Sequence, residues 1–272
     1  MAFSLDSISK EQVIRAPRMV LVGVEKIGKT TFACGSRFEN GKLVEIGINN
    51  PIMIPIKGED GADALDVSSF PVCVTFDDLM SALGVLCTEK HDHHTIVIDS
   101  ASALQTVIGD DVCKEFNVAN VRKVPGFRTG ESAVRQRWIK ILDALDYLRD
   151  EKNMASIIIG HVRVKKFKNP DGADWDIYDF DMDMGEGELL KRWADVIGFC
   201  NTKVTVKIEG EDTKFSKAKK TGIDTTGGQR YLYTQKRPTH PGGGRGIYGQ
   251  LPYELPLDWA AFTAAVCAQV DG

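Results

Sequence analysis

The residues best equipped for chemistry lie between positions 23 and 31. Gly23-Val24-Glu25-Lys26-Ile27-Gly28-Lys29-Thr30-Thr31 carries the full G-x-x-x-x-G-K-[ST] phosphate-loop pattern. Its glycines let backbone N–H groups converge on a polyphosphate, and a following helix adds its positive end. Lys29 supplies a mobile point charge for the β- and γ-phosphates, and Thr30 a hydroxyl ligand for Mg²⁺. These residues, 23 to 31, are the candidate binding site for a nucleoside triphosphate.

A second set completes that chemistry. Thr95-Ile-Val-Ile-Asp99 reads as a buried strand that delivers a carboxylate to its C-terminal end, the Walker B arrangement. There Asp99 can hold Mg²⁺ directly or through water, together with Thr30. Ala155-Ser-Ile-Ile-Ile-Gly160-His161 is another buried strand, ending at the same edge. His161 can therefore sense a γ-phosphate or orient a water. The run His91-Asp92-His93-His94 carries no ligand set at zinc-finger spacing, and a solvated loop is the better reading.

Strands and helices must position these groups. Met19 to Val22 is a short apolar strand entering the loop, and the run from Thr31 to Cys34 suits a helix leaving it. Residues 37–50 read as a loop with a short strand such as Lys42 to Ile46. Pro51 to Ile56 is a second apolar strand, with Pro55 hinting at an edge or bulge. Phe76 to Glu89, Ser100 to Phe116 and Glu131 to Glu151 have helical spacing, the first capped by Thr75 or Asp77. In the third, Trp138, Ile141, Leu142, Leu145 and Leu148 form an apolar stripe, read as core. Residues 124–130, a glycine-flanked loop tipped by Phe127 and Arg128, suit a partner or DNA as readily as solvent.

Residues 162–188 read as one long irregular segment, basic around Phe167 and acidic around Trp175, Tyr178 and Phe180. The cations suit phosphates and the aromatics suit bases, whereas the acids repel a polyanion. Lys203 to Glu209 and Gln229 to Thr234 read as the two strands of an antiparallel extension, joined by the basic link 210–228. Residues 236–246 read as a flexible cationic turn, and Asp258 as the cap of a final helix.

Composition narrows the classes. A net charge of −4 gives no global attraction to nucleic acid or anionic membrane. No apolar run is long enough to span a bilayer, and the start lacks the pattern of a secretory signal. Cys34, Cys73, Cys87, Cys113, Cys200 and Cys267 are scattered without a C-x-x-C pair, as in proteins of a reducing cytoplasm. The expectation is a cytoplasmic protein whose residues 1–272 form one domain, with 1–17 an N-terminal extension and 203–250 the antiparallel extension and basic turn.

The order of these parts resembles the phage and prophage nucleotide-binding proteins with a RecA-type ATPase core, a group that includes annealing-type recombinases. The resemblance runs from about residue 18 to 262. It rests on GVEKIGKTTFA, KGEDGADALDV, HDHHTIVIDS, IIIGHVRVKKF, LLKRWADVIGF and YTQKRPTHPGGGRGIYGQLPYELPLDW. It implies an α/β fold: a RecA-like P-loop NTPase with a twisted, mainly parallel sheet, helices on both faces and ATP with Mg²⁺ at the strand C-termini. It places Glu59, or Asp60 beside it, as the acid that activates the attacking water, and His161 as the γ-phosphate sensor. It also implies single-stranded DNA as a partner and a homo-oligomer with ATP near the subunit interface, where Lys236 and Arg237 complete a neighbour's site. An ATP-bound switch or assembly scaffold and, less readily, a small-molecule kinase are the alternatives.

Overall fold

The computed structural model describes residues 15–39, 42–45, 50–59, 61, 65–209 and 219–270. Asp60 and the basic link residues Lys214 and Lys217 lie outside these, as does most of the N-terminal extension.

The strands in chain order are β1 (Arg18–Gly23), β2 (Ser36–Glu39), β3 (Lys42–Glu45), β4 (Pro51–Pro55), β5 (Ser68–Ser69), β6 (Thr95–Asp99), β7 (Ala155–Phe167), β8 (Trp175–Phe180), β9 (Val196–Thr202), β10 (Val204–Glu209), β11 (Lys219–Asp224), β12 (Arg230–Tyr233), β13 (Gly243–Gly244) and β14 (Glu254–Pro256). The helices are α1 (Lys29–Ala33), α2 (Phe76–Thr88), α3 (Ala101–Glu115), α4 (Thr129–Lys152), α5 (Met184–Trp193) and α6 (Trp259–Val270). None of the described helices is long and apolar enough to cross a membrane.

The central sheet runs β14-β12-β9-β1-β7-β6-β4-β5. Its middle, from β9 to β5, is parallel, and β12, β13 and β14 extend it in antiparallel fashion beyond β9. Period-two alternation sorts its side chains into two cores. Val20, Val22, Ile54, Ile96, Ile98 and Ile158 face one side, under Leu83 of α2, Leu104 of α3, Trp138 of α4 and Leu190 of α5. Met19, Leu21, Met53, Val97, Ile157 and Ile159 face the other, against Phe32 of α1 and Phe262 of α6. The stripe of α4 is core: Trp138, Ile141, Leu145 and Leu148 are fully buried, and Trp138 Nε1 donates to Gln105 Oε1 at 2.8 Å.

Local capping follows the sequence. Thr75, rather than Asp77, caps α2 in a reciprocal box with Asp78; Ser100 caps α3 and Asp258 caps α6. Pro55 sits where a missing N–H costs little. Its face of β4 looks toward residues 70–73, past the end of the two-residue edge strand β5.

Four expectations need correction. Residues 36–39 and 42–45 pair as antiparallel strands, β2 with β3, instead of a loop with one strand. The Asn40-Gly41 dipeptide between the strands is the two-residue hairpin signal. Second, β10 pairs with β11, while the 229–234 strand, β12, joins the central sheet beside β9. Third, residues 162–188 are ordered. β7 continues past His161 for a total of 13 residues and pairs with β8, after which α5 begins at Met184. Alternation of Val162 and Val164 with Arg163 and Lys165, answered by Tyr178 and Phe180 on β8, makes strands of what reads as loop. Fourth, the cationic turn is anchored. Trp175 Nε1 donates to the Pro238 carbonyl at 2.8 Å, the Tyr178 amide to the Thr239 carbonyl at 2.9 Å, and His240 is buried against Phe199.

Candidate nucleotide site at the strand C-termini

The parallel strands carry the candidate residues to one edge. In register, Gly23 of β1 lies opposite His161 of β7 and Cys200 of β9, and Asp99 of β6 lies opposite Ile159 of β7. A glycine is required at position 23 because a Cβ there would stand 2.3 Å from the Cys200 carbonyl oxygen. Lys26 and Gly28 take positive φ angles of 56° and 99°, the turns that fold the loop's amides inward. The helix that follows, α1, has only five residues. Its dipole is therefore short, and the curled backbone is the feature that chiefly suits the loop to an anion.

Lys29 is buried, with Nζ donating to the carbonyls of Gly23 at 3.1 Å and Val24 at 2.8 Å. Burial lowers its pKa, opposed by the charges of Asp99 and Glu59. A cation folded against its own loop, with no carboxylate in salt-bridge contact among the described residues, is suited to an incoming anion. Across from it, the Thr30 hydroxyl donates to Asp99 Oδ2 at 2.7 Å. Asp99 is 4% exposed, and burial raises its pKa despite the Thr30 bond, with the nearby Glu59 charge adding to the rise. A buried carboxylate beside a hydroxyl offers two oxygen ligands to a hard divalent cation such as Mg²⁺, whose charge would offset the cost that burial puts on the ionised form. Gly61 packs over this pair, its Cβ position 3.0 Å from Thr30 Oγ1 and 3.4 Å from Asp99 Oδ2.

Glu59 stands beside that pair. Its Oε1 accepts from the Ser100 hydroxyl at 2.6 Å and pairs with His161 Nε2 at 3.0 Å. The His161 hydrogen bond holds the Glu59 pKa below the usual carboxylate range against the opposing effect of burial, with Ser100 assisting. Reciprocally, Glu59 raises the pKa of His161. The His161 amide donates to Ser102 Oγ, and its buried Nδ1 has no partner among the described residues.

The structure thus brings Lys29, Thr30, Asp99, Glu59 and His161 to one strand edge. It does not bring Lys236 and Arg237 there within this chain. Arg237 lies over the Tyr253 ring, 4.1 Å from its centroid, and both cations line a separate cavity of about 710 Å³ with Phe167 and Trp175. Glu25 and Lys26 are exposed on the loop. His91 and His93 bond the carbonyls of Leu86 and Asn50 on the opposite side of β6 from Asp99, at its N-terminal end.

Two residues at the site were missed in the sequence. Ser100 was visible as the neighbour of Asp99 but carried no motif of its own. Arg230, at the start of β12, donates from Nη1 to the Ile27 carbonyl at 3.1 Å, 203 positions away in sequence. No spacing rule connects the two.

Comparison with known families places the chain. A family model described as an AAA domain matches residues 15–246. The chain belongs to that family, and is a P-loop, nucleotide-binding protein of the ATPase class. No curated protein matches it.

Proposed function

We propose that this AAA-domain protein is a Mg²⁺-dependent ATPase of the RecA type that acts on single-stranded DNA in annealing or recombination, as in the phage proteins it resembles. The observation that carries the reading is Glu59, held by Ser100 and His161 at the edge where Thr30 meets Asp99. In this reading the amides of residues 24–31 and Lys29 bind the phosphates of ATP. Thr30 and Asp99 would hold Mg²⁺, which when bound would supply positive charge to the phosphoryl oxygens. Glu59 accepts a proton from water as it is oriented for attack, and His161 keeps that carboxylate ionised and aimed.

The DNA part is supported by the cavity between β8 and residues 236–242. Phe167 and Trp175 pair there with ring centroids 4.7 Å apart, and Lys236 and Arg237 line the same space. Aromatic faces beside cations suit stacked bases and their phosphates. The chain works in this reading as a single cytoplasmic domain that assembles with copies of itself, with the nucleotide near the subunit interface.

One observation favours a second reading, an ATP-bound scaffold for a protein partner. Two cations of β7 are already matched, Lys165 by Asp179 and Arg163 by Asp181, and Lys191 of α5 pairs with Asp179 as well. An ATPase assay with and without single-stranded DNA, across a salt series, separates the two. The first reading expects stimulated turnover and DNA affinity that falls steeply with salt. Nucleotide binding without either effect overturns it in favour of the scaffold. Failure to bind nucleotide overturns both.

A further inference from the structure

Arg230 occupies a place that neither the phosphate-loop pattern nor the family match assigns. It opens β12, the antiparallel strand added beyond β9, and its backbone carbonyl is tied by the Leu257 amide at 2.9 Å. From there the side chain crosses to the phosphate loop. Nη1 donates to the Ile27 carbonyl, and the same atom lies 2.4 Å from where a Cβ on Gly28 would stand. Among the described residues no carboxylate pairs with this guanidinium, so its charge is directed at the loop. Arg230 pairs with Thr202 of β9, two residues beyond Cys200, and Cys200 lies opposite Gly23, whose carbonyl holds Lys29 Nζ, so the two cations flank the same strand end.

We infer that Arg230 is a positioning residue for nucleotide binding, acting through the Ile27–Gly28 peptide. The carbonyl of that peptide accepts from Arg230 while its N–H, on Gly28, belongs to the set that faces the phosphates. A hydrogen bond to a carbonyl polarises the whole amide, which makes the N–H a stronger donor. A charged donor does this more than a neutral one. The guanidinium also braces the loop from outside at the residue with φ of 99°, where the backbone has the least side-chain support. The antiparallel extension thereby becomes part of the nucleotide site, although it contributes nothing to the G-x-x-x-x-G-K-[ST] motif.

This inference rests on the phosphate-loop reading, and the test is built to separate them. Nucleotide affinity is measured by titration with a fluorescent ADP and a fluorescent ATP analogue for wild type, Lys29→Ala, Arg230→Ala, Arg230→Gln and Arg230→Lys. Thermal melting without nucleotide monitors the fold. Arg230→Ala is expected to weaken both nucleotides on the order of tenfold, the loss of one charge-assisted bond partly open to solvent. Arg230→Gln and Arg230→Lys each restore a donor to the Ile27 carbonyl and are expected to recover part of the loss. The loss is expected to persist at about 0.5 M salt, where through-solvent attraction is screened. Wild-type binding that Lys29→Ala abolishes and Arg230→Ala leaves within twofold overturns this inference alone. A loss that disappears at high salt also overturns it, since a diffuse charge effect then suffices. Wild type that binds neither analogue overturns the phosphate-loop reading itself.

Discussion

Glu59→Gln is the substitution that most directly probes the site. The amide keeps the size of the side chain and an oxygen that can still accept from Ser100, 2.6 Å away in the native site. Its charge is gone, and with it the ability to take a proton from water. A positioned general base contributes about 10²- to 10⁴-fold to rate, so turnover should fall by that factor while ATP affinity stays within a few-fold. The pair with His161 is also lost. Both side chains are partly shielded, 22% and 27% exposed, so the cost in stability is about 1 kcal/mol at most. Its pH dependence has a definite sign. Glu59 is shifted down, so its contribution is present above its ordinary 4.5 and lost as pH falls through its lower folded value. His161 is shifted up, so its contribution is complete below its ordinary 6.5 and lost as pH rises through its higher folded value. Wild type should therefore exceed Glu59→Gln in melting temperature most clearly between those two values and converge with it toward alkaline pH. NMR titration should show the His161 pKa dropping in the variant. Turnover within threefold of wild type would refute the water-activating role of Glu59. An unmoved His161 would refute the pairing.

Two other variants report on the same edge. Lys29→Ala should weaken nucleotide binding by roughly a hundredfold or more, because a buried charge-assisted contact is removed; unchanged affinity in a calorimetric titration would sink the nucleotide assignment. Asp99→Asn should do two opposite things. Burial makes the Asp99 carboxylate costly to ionise, so without nucleotide the variant should melt no lower than wild type, and its response to Mg²⁺ should vanish. A lower melting temperature together with intact Mg²⁺ dependence would contradict the placement of the metal.

Much of this architecture is legible where local pattern and burial agree. β1, β6 and the first half of β7, residues 155–160, are apolar runs buried on both faces, and a parallel strand buried that way needs no partner information to be recognised. The hairpin of β2 and β3 stands in a sheet of its own, outside the central one. The inserted residues before Pro51 therefore leave β4 in register beside β6, with Pro55 opposite Asp99 and Glu59 just beyond. What escapes the sequence is pairing over distance. β12 alternates as an ordinary strand, but nothing in its composition says whether its neighbour is β10 or β9. Arg230 is invisible for the same reason, since its role exists only once β12 lies beside β9. The hairpin of β7 and β8 was hidden by its charges. Acid and base blocks read separately as a loop, whereas across a strand pair they neutralise one another.

That neutralisation gives a test of DNA against protein as the partner. Asp179 sits between Lys165 and Lys191, with Lys191 at 2.8 Å, and all three line the cavity that holds Phe167, Trp175, Lys236 and Arg237. Asp179→Asn releases Lys165 and leaves Lys191 the company of Glu188 within α5 at 2.9 Å, while Arg163 stays paired with Asp181 at the end of the β7–β8 hairpin, and thermal melting checks that the fold is kept. If single-stranded DNA occupies this cavity, the freed lysine adds a phosphate contact. Each such contact steepens the dependence of log K on log salt by about 0.7 for a single strand, so the variant should bind more tightly at low salt and lose affinity faster as salt rises. Trp175→Ala should weaken binding by about 1–3 kcal/mol with the slope unchanged, since stacking releases no counterions. If a protein partner occupies the cavity instead, wild type shows no salt-dependent DNA affinity for either change to act on. A polarisation titration with a labelled oligonucleotide at several salt concentrations reads both quantities. Parallel slopes for wild type and Asp179→Asn, even with measurable binding, would place the DNA elsewhere on the molecule.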